Sequence, residues 1–144
     1  MQTQNYPNHR RFDPAFHFVL FPILLLTLIG SCVNLYHSLG DHQRIYSASL
    51  IAAIMVALVL LSLKCRLYAL KAQDRAIRAE ENLRHYVLTG KLLDSRVTVR
   101  QIIGLRFAPD DEFVALAQRA TEENLSEDDI KKAVKNWRAD TYRV

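Results

Sequence analysis

The chain of 144 residues is half hydrophobic, carries 19 basic against 15 acidic residues, and contains two cysteines. That length admits one ordinary domain, or a membrane hairpin with a small domain attached. Two cysteines cannot build a disulfide framework or a cysteine zinc site. The formal charge of +4 arises entirely in the first ninety residues, because residues 91–144 hold ten cations and ten acids, a balance that argues against a basic nucleic-acid reader.

Residues 1–14 read as a short N-terminal segment holding Tyr6, Phe12 and the pair Arg10 and Arg11. Residues 15–36 carry no Asp, Glu, Lys or Arg, and only His17, Asn34 and a few hydroxyls interrupt their apolar character. About 20 residues at 1.5 Å rise cross a hydrocarbon core, so this stretch predicts a first transmembrane helix. Pro22 lies inside it, where a proline bends a membrane helix rather than breaking it. Ile29-Gly30-Ser31-Cys32 has the layout of a lipoprotein cleavage box, which would lipidate Cys32. It departs from that pattern at its small positions, so an uncleaved span is the preferred reading.

Residues 37–44 form a turn with Arg44 set against Asp41, and residues 45–63, again without a charge, predict a second span. Tyr36 and Tyr46 bracket the turn at the level where aromatic rings favour headgroups. A hairpin of this kind puts Cys32 and Cys65 near opposite faces of a bilayer, too far apart for a disulfide. The basic flanks are Arg10 and Arg11 before the first span and Lys64, Arg66, Lys71, Arg75 and Arg78 after the second. Loops rich in Lys and Arg stay in the cytoplasm, so both termini are expected there, with the cations facing anionic headgroups.

Residues 64–88 contain no Gly or Pro, and Gly90 suits the left-handed position that ends a helix. The second span is therefore expected to continue as a basic cytoplasmic stalk over residues 64–90. Along it Ser62, Cys65, Ala69, Ala72, Ala76, Ala79, Leu83 and Tyr86 recur at three-four spacing, a narrow heptad seam suited to close approach of another helix. Alanine is also simply a good helix former. Leu70 and Ile77 lie off this seam and offer a second face.

Residues 91–144 predict a small three-helix domain and tail. Thr98 and Gln101 have the spacing of a capping box for a helix bearing Val99, Ile102, Ile103 and Phe107. Pro109 with Asp110, Asp111 and Glu112 starts a second helix, whose face is Phe113, Leu116, Ala117 and Ala120. Ser126 caps a third with the stripe Ile130, Ala133, Val134 and Trp137. A domain this small is marginal alone and gains from docking on the stalk or a partner. The tail from Trp137 either folds back or docks elsewhere.

No constellation for chemistry emerges. Thr89-Gly90-Lys91 lacks the upstream glycine of a phosphate loop, and no intramembrane acid or base marks an ion path. The five histidines are His9, His17, His37, His42 and His85, with none in the second span, so a haem shared between the two spans is not supported. Only His17 is placed to face a cofactor of a neighbouring subunit. No cofactor, metal site or catalytic residue is assigned, and the chain is read as a non-enzyme.

Four stretches, QNYPNH at 4–9, RFDPAFHF at 11–18, LRHYVLTG at 83–90 and IKKAVKNWRADTYRV at 130–144, resemble a bacterial family of small two-span membrane proteins of unknown function. The resemblance implies the same topology and brings no activity with it. The expected fold is all-α: a transmembrane hairpin, a stalk and a three-helix domain. The expected function is a two-pass accessory or scaffold protein of the bacterial plasma membrane, bound to a protein partner or to itself. The competing readings are a small subunit of a redox or transport complex and a membrane-tethered regulator that binds nucleic acid.

Overall fold

The computed structural model describes residues 4–9 and 12–140, so Arg10, Arg11 and the tail residues 141–144 lie outside the described part. Among the described residues the chain is all-helical, with five helices and no strand: α1 (Ala15–His37), α2 (His42–Thr89), α3 (Val99–Leu105), α4 (Asp110–Glu122) and α5 (Glu127–Ala133). They fall into two compact units, one of residues 12–69 and one of residues 70–140 together with 4–9, and α2 contributes to both.

In the first unit, Asp13 opens α1 by accepting hydrogen bonds from the Ala15 and Phe16 amides at 3.0 and 3.2 Å. The first six residues, Ala15–Leu20, are wound as a π-helix, in which the Phe21 amide bonds back to the Phe16 carbonyl. Pro22 lacks an N–H and crowds the carbonyl of Phe18 four residues before it, and the wider turn upstream relieves that conflict. The helix therefore runs through the proline to His37. Its end is tied by Ser38, whose hydroxyl donates to the Asn34 carbonyl at 2.8 Å. Gly40, at φ +93°, supplies the left-handed turn.

Helix α2 begins at His42, three residues before the apolar pattern predicts, because Asp41 accepts the Gln43 and Arg44 amides at 3.0 and 3.3 Å. Hydroxyls in the apolar stretches bond backbone carbonyls of their own helix, as Thr27 does to Ile23 and Ser31 to Leu28. Ala48 and Ala52 are covered while Leu26, Leu61 and their neighbours stand exposed. Both α1 and α2 are long and apolar enough to cross a membrane, and only 11% of either apolar window is buried, far less than a core helix of a water-soluble domain would show.

In the second unit α2 ends at Thr89, with Gly90 at φ +74° and its amide bonded to the Tyr86 carbonyl at 2.7 Å. Helix α3 opens on the reciprocal capping box of Thr98 and Gln101. Gln101 also reaches across the domain, where its buried amide nitrogen bonds the Ala120 and Leu125 carbonyls at the end of α4. Ser126 caps α5 through the Asp129 amide. Phe107, Phe113, Leu105 and Ile130 are completely enclosed, and Ile77 of α2 joins the same core. Helices α3 and α5 meet at Gly104, where an added Cβ would lie 3.0 Å from the Glu127 carbonyl oxygen and from an Ile130 methyl; the crossing needs a residue without one.

Two expectations for this domain are corrected. Val99 is 37% exposed and does not belong to the core face of α3. The stripe of α5 does not run helically to Trp137, because the helix ends at Ala133 and Val134 turns to an extended conformation. The reason is Glu112 of α4, whose carboxylate takes the Lys135 and Asn136 amides at 2.9 and 3.1 Å and so captures the donors that another helical turn would use. Val134 and Trp137 pack on the core from this extended segment.

Candidate functional site

The C-terminal half of α2 presents two faces of different fate. Ile77 and Glu81 are buried and Arg84 nearly so, which makes theirs the face the small domain covers. On the far side of the helix Ala72, Ala76, Ala79, Leu83 and Tyr86 are exposed, with Ala69 half-buried. The face widens at its end, where Leu83 is 62% and the adjacent Val87 is 75% exposed. Of the basic residues, Lys64, Lys71, Arg75 and Arg78 are exposed, and none has an ion-pair partner among the described residues. Arg66 is half-buried, with its guanidinium 5.6 Å from the centre of the Phe16 ring.

Arg84 fixes which face is covered. Its guanidinium pairs with Glu81 at 2.9 Å and with Asp110 at 2.6 Å, donates to the Ala108 carbonyl at 2.8 Å, and lies 4.3 Å over the Phe113 ring. All three nitrogens of the planar fork are engaged, which an ammonium could not reproduce. Arg138 approaches the other oxygen of Glu81 at 3.5 Å. Sequence reading did not single out Arg84, because it looks like one more cation of a charged helix.

The N-terminal segment 4–9 packs on the same domain. Tyr6 donates to Asp128 of α5 at 2.6 Å, His9 lies edge-on to Phe107 at 6.0 Å and tilted against Trp137 at 5.8 Å, and the Asp140 amide donates to the Gln4 side chain at 2.7 Å. The tail up to Asp140 thus folds back, with the Arg138 amide on the Phe107 carbonyl at 2.8 Å. Arg106 sits beneath this strap, 8% exposed, with burial lowering its pKa and Asp140 opposing that effect. Asp140 lies 3.3 Å from its Nε but off the N–H direction, so the attraction is coulombic rather than a hydrogen bond.

The pH dependence expected of the strap has a definite sign. Lys132 and then Tyr6 hold the Asp128 carboxyl below its ordinary value, so its contribution is full above the unfolded value near 3.8 and is lost as pH falls through the lower folded one. Tyr6 is raised by Asp128, so its contribution is lost as pH rises through a value above 10. Limited proteolysis of residues 4–9 is expected to be slow and flat between about pH 5 and 9, to accelerate below the Asp128 transition, and to be fast at all pH in Asp128→Asn. An Asp128→Asn rate no faster than wild type at neutral pH would show that Asp128 does not hold the strap.

The described residues show no arrangement of three His, Cys, Asp or Glu that could hold a metal ion. His17 directs Nδ1 to the Asp13 carbonyl at 2.8 Å amid Phe12, Phe16 and Phe18. His85 lies 2.7 Å from the Lys91 carbonyl, and the Thr89 hydroxyl bonds back to the His85 carbonyl, so Thr89-Gly90-Lys91 is a sealed helix end. Cys32 and Cys65 are free and exposed. Two surface grooves among the described residues carry ion-paired side chains, one of about 480 Å³ against Arg84 and another of about 490 Å³ against Tyr6 and Lys131.

These features define an all-α protein with two apolar helices and a strapped small domain whose distinctive surface is a bare helix face. Along residues 1–144 the chain matches the model of a family of unknown function, DUF6526, and belongs to that family. No curated protein and no solved structure matches it.

Proposed function

We propose that the chain is a two-pass membrane protein that presents a cytoplasmic helical module to a protein partner, acting as an accessory or scaffold rather than as an enzyme. The carrying observation is the bare face of α2 at Ala72, Ala76, Ala79, Leu83 and Tyr86, opposite the face that the domain covers. A helix held rigidly on one side and left apolar on the other is pre-organised for docking.

The membrane reading rests on outward-facing apolar side chains of α1 and α2 with no charge within either span. Arg66 beside Phe16 supports an antiparallel hairpin, because it sets the end of the second span against the start of the first. The strap supports placing both termini on one side: residues 4–9 precede α1, yet they pack in the compact unit formed by the chain after the second apolar stretch, which fits an even number of crossings. The basic flank of Lys64, Lys71, Arg75 and Arg78 favours the cytoplasmic side and contact with anionic headgroups. The resemblance noted above favours a bacterial plasma membrane.

The nucleic-acid reading loses support at α5, whose first turn holds Glu127, Asp128 and Asp129 where a recognition helix would meet phosphate. The test is native mass spectrometry of complexes extracted in mild detergent, comparing wild type with Ala72→Glu/Ala76→Glu, which places like charges at the centre of the face. Expected is loss of the co-purifying partner or oligomer while helicity is retained. An unchanged complex would remove the face from the function.

A further inference from the structure

We infer that the bare face of α2 pairs with the same face of a second copy, in parallel and in register, as a short two-stranded coiled coil. The inference rests on the membrane reading, because two copies inserted alike run their α2 helices in the same direction. The heptad places Ala69, Ala76 and Leu83 at a, and Cys65, Ala72, Ala79 and Tyr86 at d, all on the one helix His42–Thr89.

The charges beside this face are those a parallel pair requires. In the same register Arg75 occupies a g position and Glu80 the e position five residues later. In a parallel in-register dimer, g of one chain meets that e of the other, so Arg75 faces Glu80 of the second copy and Glu80 faces its Arg75. Both side chains are exposed, and neither has an ion pair among the described residues of its own chain, although acids and bases nearby are paired, as Glu81 is with Arg84. An antiparallel pair sets g against g and e against e, and forfeits both attractions. Alanines let the two backbones approach closely, while Leu83 and Tyr86 supply the larger apolar area at the far end, where they are 62% and 52% exposed. The small domain does not obstruct this approach, since it occupies the face of Ile77, Glu81 and Arg84.

A built-in reporter exists. Cys65 is exposed and lies at d, one heptad before Ala72, so the proposed pair sets the two Cys65 side chains across a symmetric layer within disulfide reach. The experiment oxidises native membranes with copper phenanthroline and dioxygen; two thiols lose two protons and two electrons to that oxidant and form one S–S bond. Expected is a covalent species of twice the chain mass that persists in Cys32→Ser, vanishes in Cys65→Ser, and reappears with Cys65→Ser/Ala72→Cys but not with Cys65→Ser/Lys71→Cys. Arg75→Glu or Glu80→Arg should each lower its yield about fivefold, the effect of turning two attractive helix pairs repulsive, and the double exchange should restore it. Cys65 cross-linking no faster than the Lys71→Cys control overturns the inference. If cross-linking fails but a different protein is retained and is lost in Ala72→Glu/Ala76→Glu, the docking function stands and the self-pairing falls. If no cross-linked species forms and no other protein is retained, both fall.

Discussion

Replacing Arg84 with alanine should destabilise the small domain by about 3–5 kcal/mol, the range for removing one partner of a buried ion pair. The cost arises from what remains. Glu81, with a side chain 6% exposed, would keep only Arg138 at 3.5 Å, and the Ala108 carbonyl and Phe113 ring would lose a donor and a cation. Arg84→Lys should recover part of the loss, because it restores charge but cannot serve Glu81, Asp110 and Ala108 together. Glu81→Gln/Arg84→Met, which removes both charges, should be milder than Arg84→Ala. Trp137 is the only tryptophan and packs on this core, so its fluorescence reports the domain selectively. Its thermal midpoint should fall by about 12–40 °C in Arg84→Ala, with the helical signal of the apolar helices retained. A fall of less than about 3 °C would mean that Arg84 decorates the interface rather than holding it.

Much of this architecture is legible along the chain because its signals are local. A capping box needs residues three apart, and Thr98 with Gln101 is found and confirmed; so are Ser126 as a cap and Gly90 as a stop. The apolar stretches of α1 and α2 announce themselves by the absence of charge. What escapes is non-local. The early end of α5 is set by Glu112, more than twenty residues upstream, and no periodicity in α5 itself reveals that capture. Tyr6 and Asp128 are separated by 122 positions, so neither looks like a partner. Arg84 and Arg78 are equivalent in sequence, yet one is enclosed and the other faces solvent.

The choice between the two faces of α2 shows the same limit. Heptad spacing fits the alanine face, and a sparser apolar line runs through Leu70 and Ile77. Local pattern favours the first. The domain instead covers the second, where Ile77 supplies a larger apolar side chain and Glu81 and Arg84 can bond Ala108, Asp110 and Arg138. Coverage of that face leaves the alanines exposed, so the feature most visible in the sequence is the one the fold leaves uncovered.

Phe107→Ala is the second large effect, about 3–5 kcal/mol for truncating a completely buried phenylalanine. Its consequence should differ from that of an equal loss elsewhere in the core. Phe107 stands 4.7 Å from Trp137 and 6.0 Å from His9, and Arg106 lies 4.7 Å over its ring, so one side chain supports the core, the tail and the strap together. Phe113, also fully buried, contacts His85 and Arg84 instead, and Phe113→Ala should weaken the domain without selectively freeing the strap. Protease sensitivity of residues 4–9 under native conditions should therefore rise more in Phe107→Ala than in Phe113→Ala at matched stability. A double-mutant cycle makes the distinction independent of stability. If the strap is seated on the ring, His9→Ala should cost less in the Phe107→Ala background than in wild type, because its main support is already gone. Strict additivity would mean that His9 is held by other contacts and that Phe107 acts on the core alone.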